Sequence, residues 1–381
     1  MSQKTRKVTT VKVSYITLHY ISNYGSVLQT YATQEIFKKI GLDAECVNYV
    51  RDNCSTSLKR ALYTYNENVY RKSFVRKVVY CLYYLLSDIQ RYRIFASFIH
   101  KNVKLSKKYS SYEGLMSHPP KADIYCTGSD QTWNSIYNGG IEPAYYLQYA
   151  PAGKKKIALA ASFGTESVNI EEYEEIKKLI HQYHHISVRE LSAKKILDEM
   201  DYPSAEVILD PTLLIEKNEW KKLFLNRKFL YKKYILVFAL NKNPLIDASA
   251  TKISELFGLP IIRVSFSMKD MFKKNHIYMP AVGYLLSYID NAEFILTDSF
   301  HGTAFSINFE KQVFVVYPEH HNTRLKSILQ ITECLHRVLT PDDIDIANIR
   351  PIDYIKVNET ILKERKRSFE FLERACQSEV L

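Results

Sequence analysis

The chain has 381 residues, 46% of them hydrophobic, and at about 150 residues per domain this length predicts two well-buried domains. No uninterrupted apolar run reaches the ~18 residues that span a bilayer, and the polar, basic start has no apolar signal core behind it. These features argue against an integral membrane protein, and we expect a cytoplasmic one. Six widely spaced cysteines without zinc spacing predict neither disulfides nor a metal site.

The positive charge is concentrated in one segment. The whole chain carries a formal net charge of +11, and residues 59–108 contain twelve Lys and Arg against Glu67 and Asp88. The rest of the chain is therefore nearly neutral. This distribution argues against a protein that binds polyanions over its whole surface, and we expect no nucleic-acid partner.

The chain opens with the pattern of a β-α-β unit. Residues 12–18 alternate apolar and polar side chains, residues 27–40 show apolar side chains at helical spacing, and residues 44–50 return to a strand pattern. The loop that contains Asn23 and Tyr24 is therefore expected at the carboxyl end of a strand, where ligands bind in open α/β sheets.

A basic, aromatic and predominantly helical insertion is predicted at about residues 55–110. After it, a strand near residues 123–127 leads into a loop that is dense in hydrogen-bonding side chains: Ser129, Asp130, Gln131, Trp133 and Asn134. This density favours a sugar-binding surface with Trp133 as an aromatic platform. The alternative is a structural turn around a buried tryptophan.

Further strands and helices alternate up to residue 214. Strands are predicted at residues 156–161, 186–190 and 206–214, and helices at residues 171–183 and 191–200. Arg189 stands at the end of one of these strands, and its guanidinium fork suits a phosphate or carboxylate. The alternative is an ion pair with Glu190 or another nearby acid.

A second α/β series begins near residue 234, which divides the chain into domains at residues 1–217 and 218–381. The predicted strands of this half are residues 234–240, 260–264, 292–296 and 312–316. The predicted helices are residues 245–257, 282–289 and a charged terminal helix at 356–376.

The most informative stretch of this half is residues 295–304, where a buried strand leads into a capped helix. Thr297, Asp298 or Ser299 can cap the helix, and His301 and Gly302 lie in its first turn. The free N–H groups and positive dipole end of such a helix bind anions, and an imidazole there can transfer protons. The alternative is a capping serine and a hydrogen-bonded core histidine.

Six motifs occur in an order that resembles the polysaccharide pyruvyl transferase family. They are Asn23-Tyr-Gly-x-x-Leu-Gln29, Gly128-Ser-Asp-Gln-x-Trp-Asn134, Ala161-Ser-Phe-Gly164, Ile186-Ser-Val-Arg-Glu190, Leu209-Asp-Pro-Thr212 and Thr297-Asp-Ser-Phe-His-Gly302. The resemblance implies an α/β fold of two Rossmann-like domains that face a central cleft, as in GT-B glycosyltransferases. It also implies phosphoenolpyruvate as the donor, with no other cofactor, and a cyclic pyruvate ketal on a sugar as the product.

The resemblance suggests roles for the polar residues. His301 is the expected general acid or base, with Asp130 as a second candidate. The donor-binding candidates are Arg189, Ser299, His301, Gly302 and Arg324. The acceptor-binding candidates are Asn23, Tyr24, Ser129, Gln131, Trp133 and Asn134.

Two other functions stay open at this point. One is a nucleotide-sugar glycosyltransferase of the same architecture, in which Glu310 would hold a ribose. The other is a non-catalytic module that binds sugars or a membrane surface. The basic insertion also allows two interpretations: a helical pair packed on the first domain, or peripheral attachment of residues 59–108 to an anionic membrane, near a lipid-linked acceptor.

Overall fold

The computed structural model describes residues 10–51, 74–225, 229, 231–318, 322–341 and 346–377. These residues form two parallel β-sheets, each flanked by helices. The seven-stranded sheet of the first domain has the order β3-β2-β1-β4-β5-β6-β7, and the five-stranded sheet of the second has the order β10-β9-β8-β11-β12. The strands are β1 (Lys12–Ile16), β2 (Asp43–Tyr49), β3 (Leu105–Tyr109), β4 (Ile124–Thr127), β5 (Lys155–Ala161), β6 (His185–Val188), β7 (Glu206–Val207), β8 (Ile235–Phe238), β9 (Ile261–Ser265), β10 (His276–Tyr278), β11 (Phe294–Thr297) and β12 (Gln312–Val315).

The helices cover the sheets and form the linker between the domains. The α-helices are α1 (Tyr24–Lys39), α2 (Phe74–Arg91), α3 (Ser97–Asn102), α4 (Tyr112–Ser117), α5 (Ser135–Asn138), α6 (Tyr173–Ile180), α7 (Leu191–Glu199), α8 (Pro211–Leu214), α9 (Lys217–Trp220), α10 (Pro244–Phe257), α11 (Val282–Asn291), α12 (Phe300–Asn308), α13 (Thr323–Ile331) and α14 (Tyr354–Gln377). A π-helical turn, Tyr92–Ala96, joins α2 to α3.

Both sheets contain the strand order of a dinucleotide-binding fold. In each domain the first strand pairs on one side with the second and on the other with the fourth, so the direction of winding reverses between β1 and β4 and between β8 and β11. Ligands of open α/β sheets bind at such switch points, beyond the carboxyl ends of the strands. The expected pair of Rossmann-like domains is therefore confirmed.

Apolar packing joins the two domains beneath their facing edges. Trp220 is fully buried in α9, and its ring lies 5.6 Å from that of Tyr31 on α1 and 5.0 Å from that of Phe305 on α12. Its Nε1 donates a hydrogen bond to the carbonyl oxygen of Thr212. One aromatic side chain thus ties the linker to both halves of the molecule.

The last helix returns from the second domain to the first. In α14, Arg374 forms an ion pair with Glu206, and the Lys155 ammonium donates to the carbonyl oxygen of Cys376 at 3.0 Å. Ser368, also in α14, accepts a hydrogen bond from the backbone N–H of Leu209. The division at residues 217 and 218 stays a prediction, and this helix belongs by contact to both sides of it.

Several expected elements differ from the structure. The strand predicted at residues 206–214 ends after two residues, because Asp210 caps a short helix with Pro211 at its first position, where a missing N–H costs nothing. Within the insertion, which was predicted to be helical, residues 105–109 form the strand β3 and pair with β2. Arg324, a donor-binding candidate beyond the predicted strand at residues 312–316, lies in the first turn of α13. Residues 52–73 of the insertion lie outside the described residues.

Candidate active site

A cleft of about 530 Å3 lies where the two switch points face each other. The loops after β1 and β4 line one side, and the loops after β8 and β11 line the other. Helix α2 of the insertion contributes Tyr84 and Arg91, so the insertion forms part of the wall. The arrangement is the central cleft expected of a GT-B-like fold.

The start of α12 is held tightly on the second sheet. Ser299 caps the helix by accepting a hydrogen bond from the N–H of Gly302 at 3.3 Å. The Thr297 hydroxyl donates to the carbonyl oxygen of Phe238 and accepts from the Ser299 N–H. A side chain at Gly302 would come within 2.4 Å of the Thr297 Oγ1, so only glycine permits this approach. Because the Gly302 N–H is used by the cap, Gly302 is a packing residue and not the donor-binding group we expected.

His301 crosses the cleft from the second domain to the first. Its ring lies so close to α1 that a Cβ atom built on Gly25 would be 1.9 Å from Nδ1. The residue is only 8% exposed, and its Nε2 has no hydrogen-bond partner among the described residues. Burial lowers the pKa of His301 to about 4, although Asp210 opposes the shift. The imidazole is therefore neutral at pH 7, lines the cleft and has a free nitrogen.

Arg189 is fully buried beneath the cleft, and this corrects its expected role in donor binding. Its guanidinium contacts Asp210 at 2.7 Å and Asp130 at 3.2 Å, with Glu190 at 3.8 Å. The structure thus favours the ion-pair alternative. Burial alone would raise the pKa of Asp210, but the charges of Arg189 and His301 and the hydrogen bonds from Thr212 and Arg189 together outweigh it, and the pKa falls to about 2. The fork of Arg189 is occupied by protein carboxylates and supports the site from below.

Asp130 lines the cleft but is tied down on two sides. Its Oδ2 accepts a hydrogen bond from the Ser26 hydroxyl at 2.6 Å, and its Oδ1 faces Arg189. The backbone has a φ of 84°, in the left-handed region where non-glycine residues are uncommon. Burial raises the pKa of Asp130, but Arg189 and then His301 lower it more, so the net shift is downward. Such a carboxylate is a poor proton acceptor and is better suited to orienting a hydroxyl.

Arg324 lines the cleft next to α12 and forms no ion pair with a carboxylate among the described residues. Its guanidinium lies over the Phe300 ring at 5.9 Å, and Arg189 lies over the same ring at 4.8 Å. The Nε atom is buried and lacks a hydrogen-bond partner within the described part of the chain. Among the described residues, Arg324 rather than Arg189 is therefore the better candidate to bind an anion. Residues 319–321, just before it, lie outside the described residues.

Some of the expected acceptor-binding residues do not reach the cleft. Trp133 is 1% exposed, its ring stacks on Tyr146, and its Nε1 donates to the carbonyl oxygen of Tyr145. The aromatic platform was therefore wrong, and the alternative of a turn around a buried tryptophan is correct. The tryptophan is internal because the rings of Tyr146, Phe163 and Tyr183 pack around it.

Three other members of that set serve the scaffold. The Tyr24 hydroxyl donates to the carbonyl oxygen of Pro280 across the domain boundary, and Ser129 donates to Asp210. Asn134 caps α5 and donates to Gln131. Asn23 and Gln131 do line the cleft, as expected, although Asn23 also caps α1.

Several cleft residues were not foreseen from the sequence. Arg51 follows β2, where it donates to the Tyr20 hydroxyl and to the carbonyl oxygen of Asn138. Arg91 and Tyr84 come from the insertion, and Asn241 from the loop after β8. These residues are far apart in the sequence and stand in no recognisable motif. The one available signal was their position after predicted strands or within the basic segment.

Two parallel α/β domains around a polar cleft define a GT-B-like architecture, and the family comparison identifies its branch. The family model "Polysaccharide pyruvyl transferase" matches residues 23–320, that is 298 of 381 residues. The chain therefore belongs to the polysaccharide pyruvyl transferase family and is a transferase. No curated protein sequence matches it.

Solved structures of epimerases and of a forosaminyltransferase are similar over nearly the whole chain. UDP-N-acetylglucosamine 2-epimerase from Rickettsia bellii shows 12% identity, coverage of 96% of this chain and 98% of that chain, and a TM-score of 0.40. The spinosyn forosaminyltransferase SpnP shows 11% identity, coverage of 95% of both chains and a TM-score of 0.46. UDP-GlcNAc 2-epimerase from Neisseria meningitidis, bound to UDP-GlcNAc, shows 10% identity, coverage of 97% and 95% and a TM-score of 0.43.

Two further findings concern the described residues alone. Within these ranges, no group of three or more His, Cys, Asp or Glu side chains is arranged to hold a metal ion. None of the described helices combines the length and the apolar character needed to cross a membrane.

Proposed function

We propose that this protein transfers pyruvate from phosphoenolpyruvate to two hydroxyls of one sugar in a surface-polysaccharide precursor, with a cyclic ketal as the product. The observation that carries the proposal is the convergence of three groups on one cleft. An arginine without a carboxylate partner, a helix amino terminus and a neutral histidine are what a small dianionic donor needs for binding and reaction.

The donor fits the α12 side of the cleft. Arg324 offers two parallel N–H donors to a phosphate or carboxylate. The first-turn N–H groups of Phe300 and His301 have no acceptor within the helix, and the helix dipole favours negative charge beside them. Phosphoenolpyruvate carries both anionic groups within one small molecule, so each of these two features can hold one.

The acceptor fits the opposite side, where several amide and hydroxyl side chains line the cleft. Asn23 and Gln131 from the first domain, with Tyr20 and Tyr137, offer amide and hydroxyl groups of the kind that bind sugars. Asp130 stands between this side and His301. We assign Asp130 to orient the attacking hydroxyl, because its lowered pKa keeps it ionised.

In the first step of the reaction, His301 carries one proton from the acceptor to the donor. The neutral imidazole takes the proton of the first sugar hydroxyl and delivers it to C3 of the enolpyruvyl group, which becomes a methyl group as the C2–C3 double bond is lost. The oxygen of that hydroxyl bonds to C2 in the same step. The second hydroxyl then bonds to C2, the bond between C2 and the phosphate oxygen breaks, and the second proton leaves with phosphate.

Ligand-dependent stabilisation tests the donor. Phosphoenolpyruvate should raise the melting temperature of the protein, and Arg324→Gln should remove most of that shift. Lys326→Gln, an exposed neighbour on the same helix, is the matched control and should keep it. The product should contain a ketal-linked pyruvate by mass and linkage analysis. No shift with phosphoenolpyruvate, together with a shift by nucleotide sugars, would overturn the proposal.

One observation bears on the nucleotide-sugar alternative. Glu310, the residue expected to hold a ribose, lies at the far end of α12, where it accepts a hydrogen bond from Asn358. It is absent from the lining of the cleft. The non-catalytic alternative predicts no turnover with any donor.

We propose further that the acceptor is lipid-linked and that the enzyme acts on the cytoplasmic side of the membrane.

A further inference from the structure

The outward face of α2 is apolar and exposed. Five large side chains lie on it, namely Val78, Leu82, Leu86, Ile89 and Tyr92, with exposed fractions of 43%, 58%, 60%, 53% and 59%. Their spacing of three or four residues places them on one side of the helix and its π-helical extension. We call these five residues the α2 stripe.

The pattern is the reverse of an ordinary surface helix. Ser87 and Asp88, which are polar, are buried at 4% and 3% exposure, whereas Leu82 and Leu86 point to solvent. A contiguous apolar surface of this kind marks an interaction site. Single exposed apolar residues are common, but five in register along one helix face call for a partner.

The opposite face of the same helix lines the cleft. Tyr84 and Arg91 are cleft residues, and at 100° per residue they lie about half a turn away from Leu82. Helix α2 therefore separates the cleft from whatever covers the stripe. A partner seated on the stripe would lie next to the cleft without closing it.

Charge decides which partner fits. The stripe lies within residues 59–108, which contain twelve Lys and Arg against two acids, and Arg93 is exposed beside Tyr92. A second copy of this chain would bring the same basic segment against itself, because a twofold interface pairs identical surfaces. An anionic bilayer instead attracts the cations and accepts the apolar side chains together.

We propose that the α2 stripe docks on the surface of an anionic membrane. The helix lies in the plane of the interface, with its apolar side chains at the acyl boundary and the cleft on the other side of the helix, beside the membrane surface. The benefit of such docking rests on the proposed function, because docking would bring the cleft close to a lipid-linked acceptor. Membrane binding itself can be measured without any assay of pyruvyl transfer.

The test is sedimentation of the full-length protein with vesicles. Phosphatidylglycerol mixed with phosphatidylcholine should bind it at low salt, pure phosphatidylcholine should not, and added salt should release it. The double variant Leu82→Gln and Leu86→Gln should reduce the bound fraction at least about tenfold, with an unchanged melting temperature. Leu362→Gln, which alters an equally exposed leucine on α14, is the matched control and should bind as the native protein does.

Four outcomes would overturn the proposal. Failure to bind anionic vesicles at low salt excludes the membrane as partner, and equal binding by the double variant excludes the stripe as the contact. A fall in melting temperature in that variant would show that the stripe is covered by the chain itself. A dimer that the double variant dissociates would show that a second copy occupies it. Loss of pyruvyl transfer with vesicle binding intact would instead count against the proposed function.

Discussion

Replacement of Gly25 by alanine tests the central contact of the site, in which the first-domain helix α1 packs against the imidazole of His301. The new methyl carbon would lie 1.9 Å from Nδ1 of His301 and 2.5 Å from Cγ and Cε1, whereas ordinary contact begins at 3.4 Å. The ring must therefore retreat by 1.5 Å, the difference between 3.4 and 1.9 Å. Since a misplacement of about 1 Å can cost about 10²-fold in rate, we expect turnover to fall by at least that factor.

The same variant should change stability only slightly. Overpacking costs about 1–3 kcal/mol, but exchange of a helical glycine for alanine returns about 1 kcal/mol. Removal of the ring by His301→Ala in the Gly25→Ala background relieves the clash, so the two changes should couple by about 0.5–3 kcal/mol in chemical denaturation.

A matched glycine separates this effect from helix propensity. Gly114 lies in α4, and a methyl group there would meet its nearest neighbour, Ser111 Oγ, at 3.4 Å. Gly114→Ala should therefore leave turnover unchanged. If Gly25→Ala turned over like the native enzyme, or if Gly25 and His301 showed no coupling, the placement of the imidazole against α1 would be refuted.

Three further predictions concern buried groups. His301 has a pKa of about 4 in the folded protein and about 6.5 when unfolded, so the unfolded chain binds the proton first and stability is lost as the pH falls from 6.5 to 4. His301→Gln should remove about 3 kcal/mol of that loss, measured by chemical denaturation at the two pH values. Arg189→Met should lower the free energy of unfolding by about 3–5 kcal/mol, because it leaves buried carboxylates unpaired. Trp133→Phe should lower the melting temperature by loss of the bond to Tyr145, without change in the acceptor KM; a raised KM would restore the sugar platform.

The sequence was sufficient to predict the fold because local patterns and global architecture agree. Alternating strand and helix periods predicted two parallel sheets, and the cap at Ser299 occurs as predicted. Errors arose where tertiary contacts outweigh local pattern. β3 lies in a charged segment that pairs only because β2 offers an open edge, and the length of β7 is limited by the Asp210 cap.

Residue chemistry alone could not separate cleft residues from their supports. Arg189 and Arg324 are equally suited to bind an anion, but only the fold surrounds Arg189 with three carboxylates. Trp133 is as suitable for sugar stacking as for a core, and burial decided for the core. His301 was identified because a helix cap is a local feature that the sequence spells out. Its contact with Gly25 is made across the domain boundary, so the sequence around His301 could not predict it.

The return of α14 to the first domain has a consequence for how this chain is made. The bonds from Ser368, Arg374 and Cys376 close the edge of the first domain around Leu209, Glu206 and Lys155, yet these residues are translated long after the strands that they contact. During translation the first domain therefore keeps that edge uncovered until α14 has been synthesised. Expression of residues 1–217 alone should yield an aggregation-prone protein, whereas co-expression with the remainder should restore solubility by trapping α14 in place.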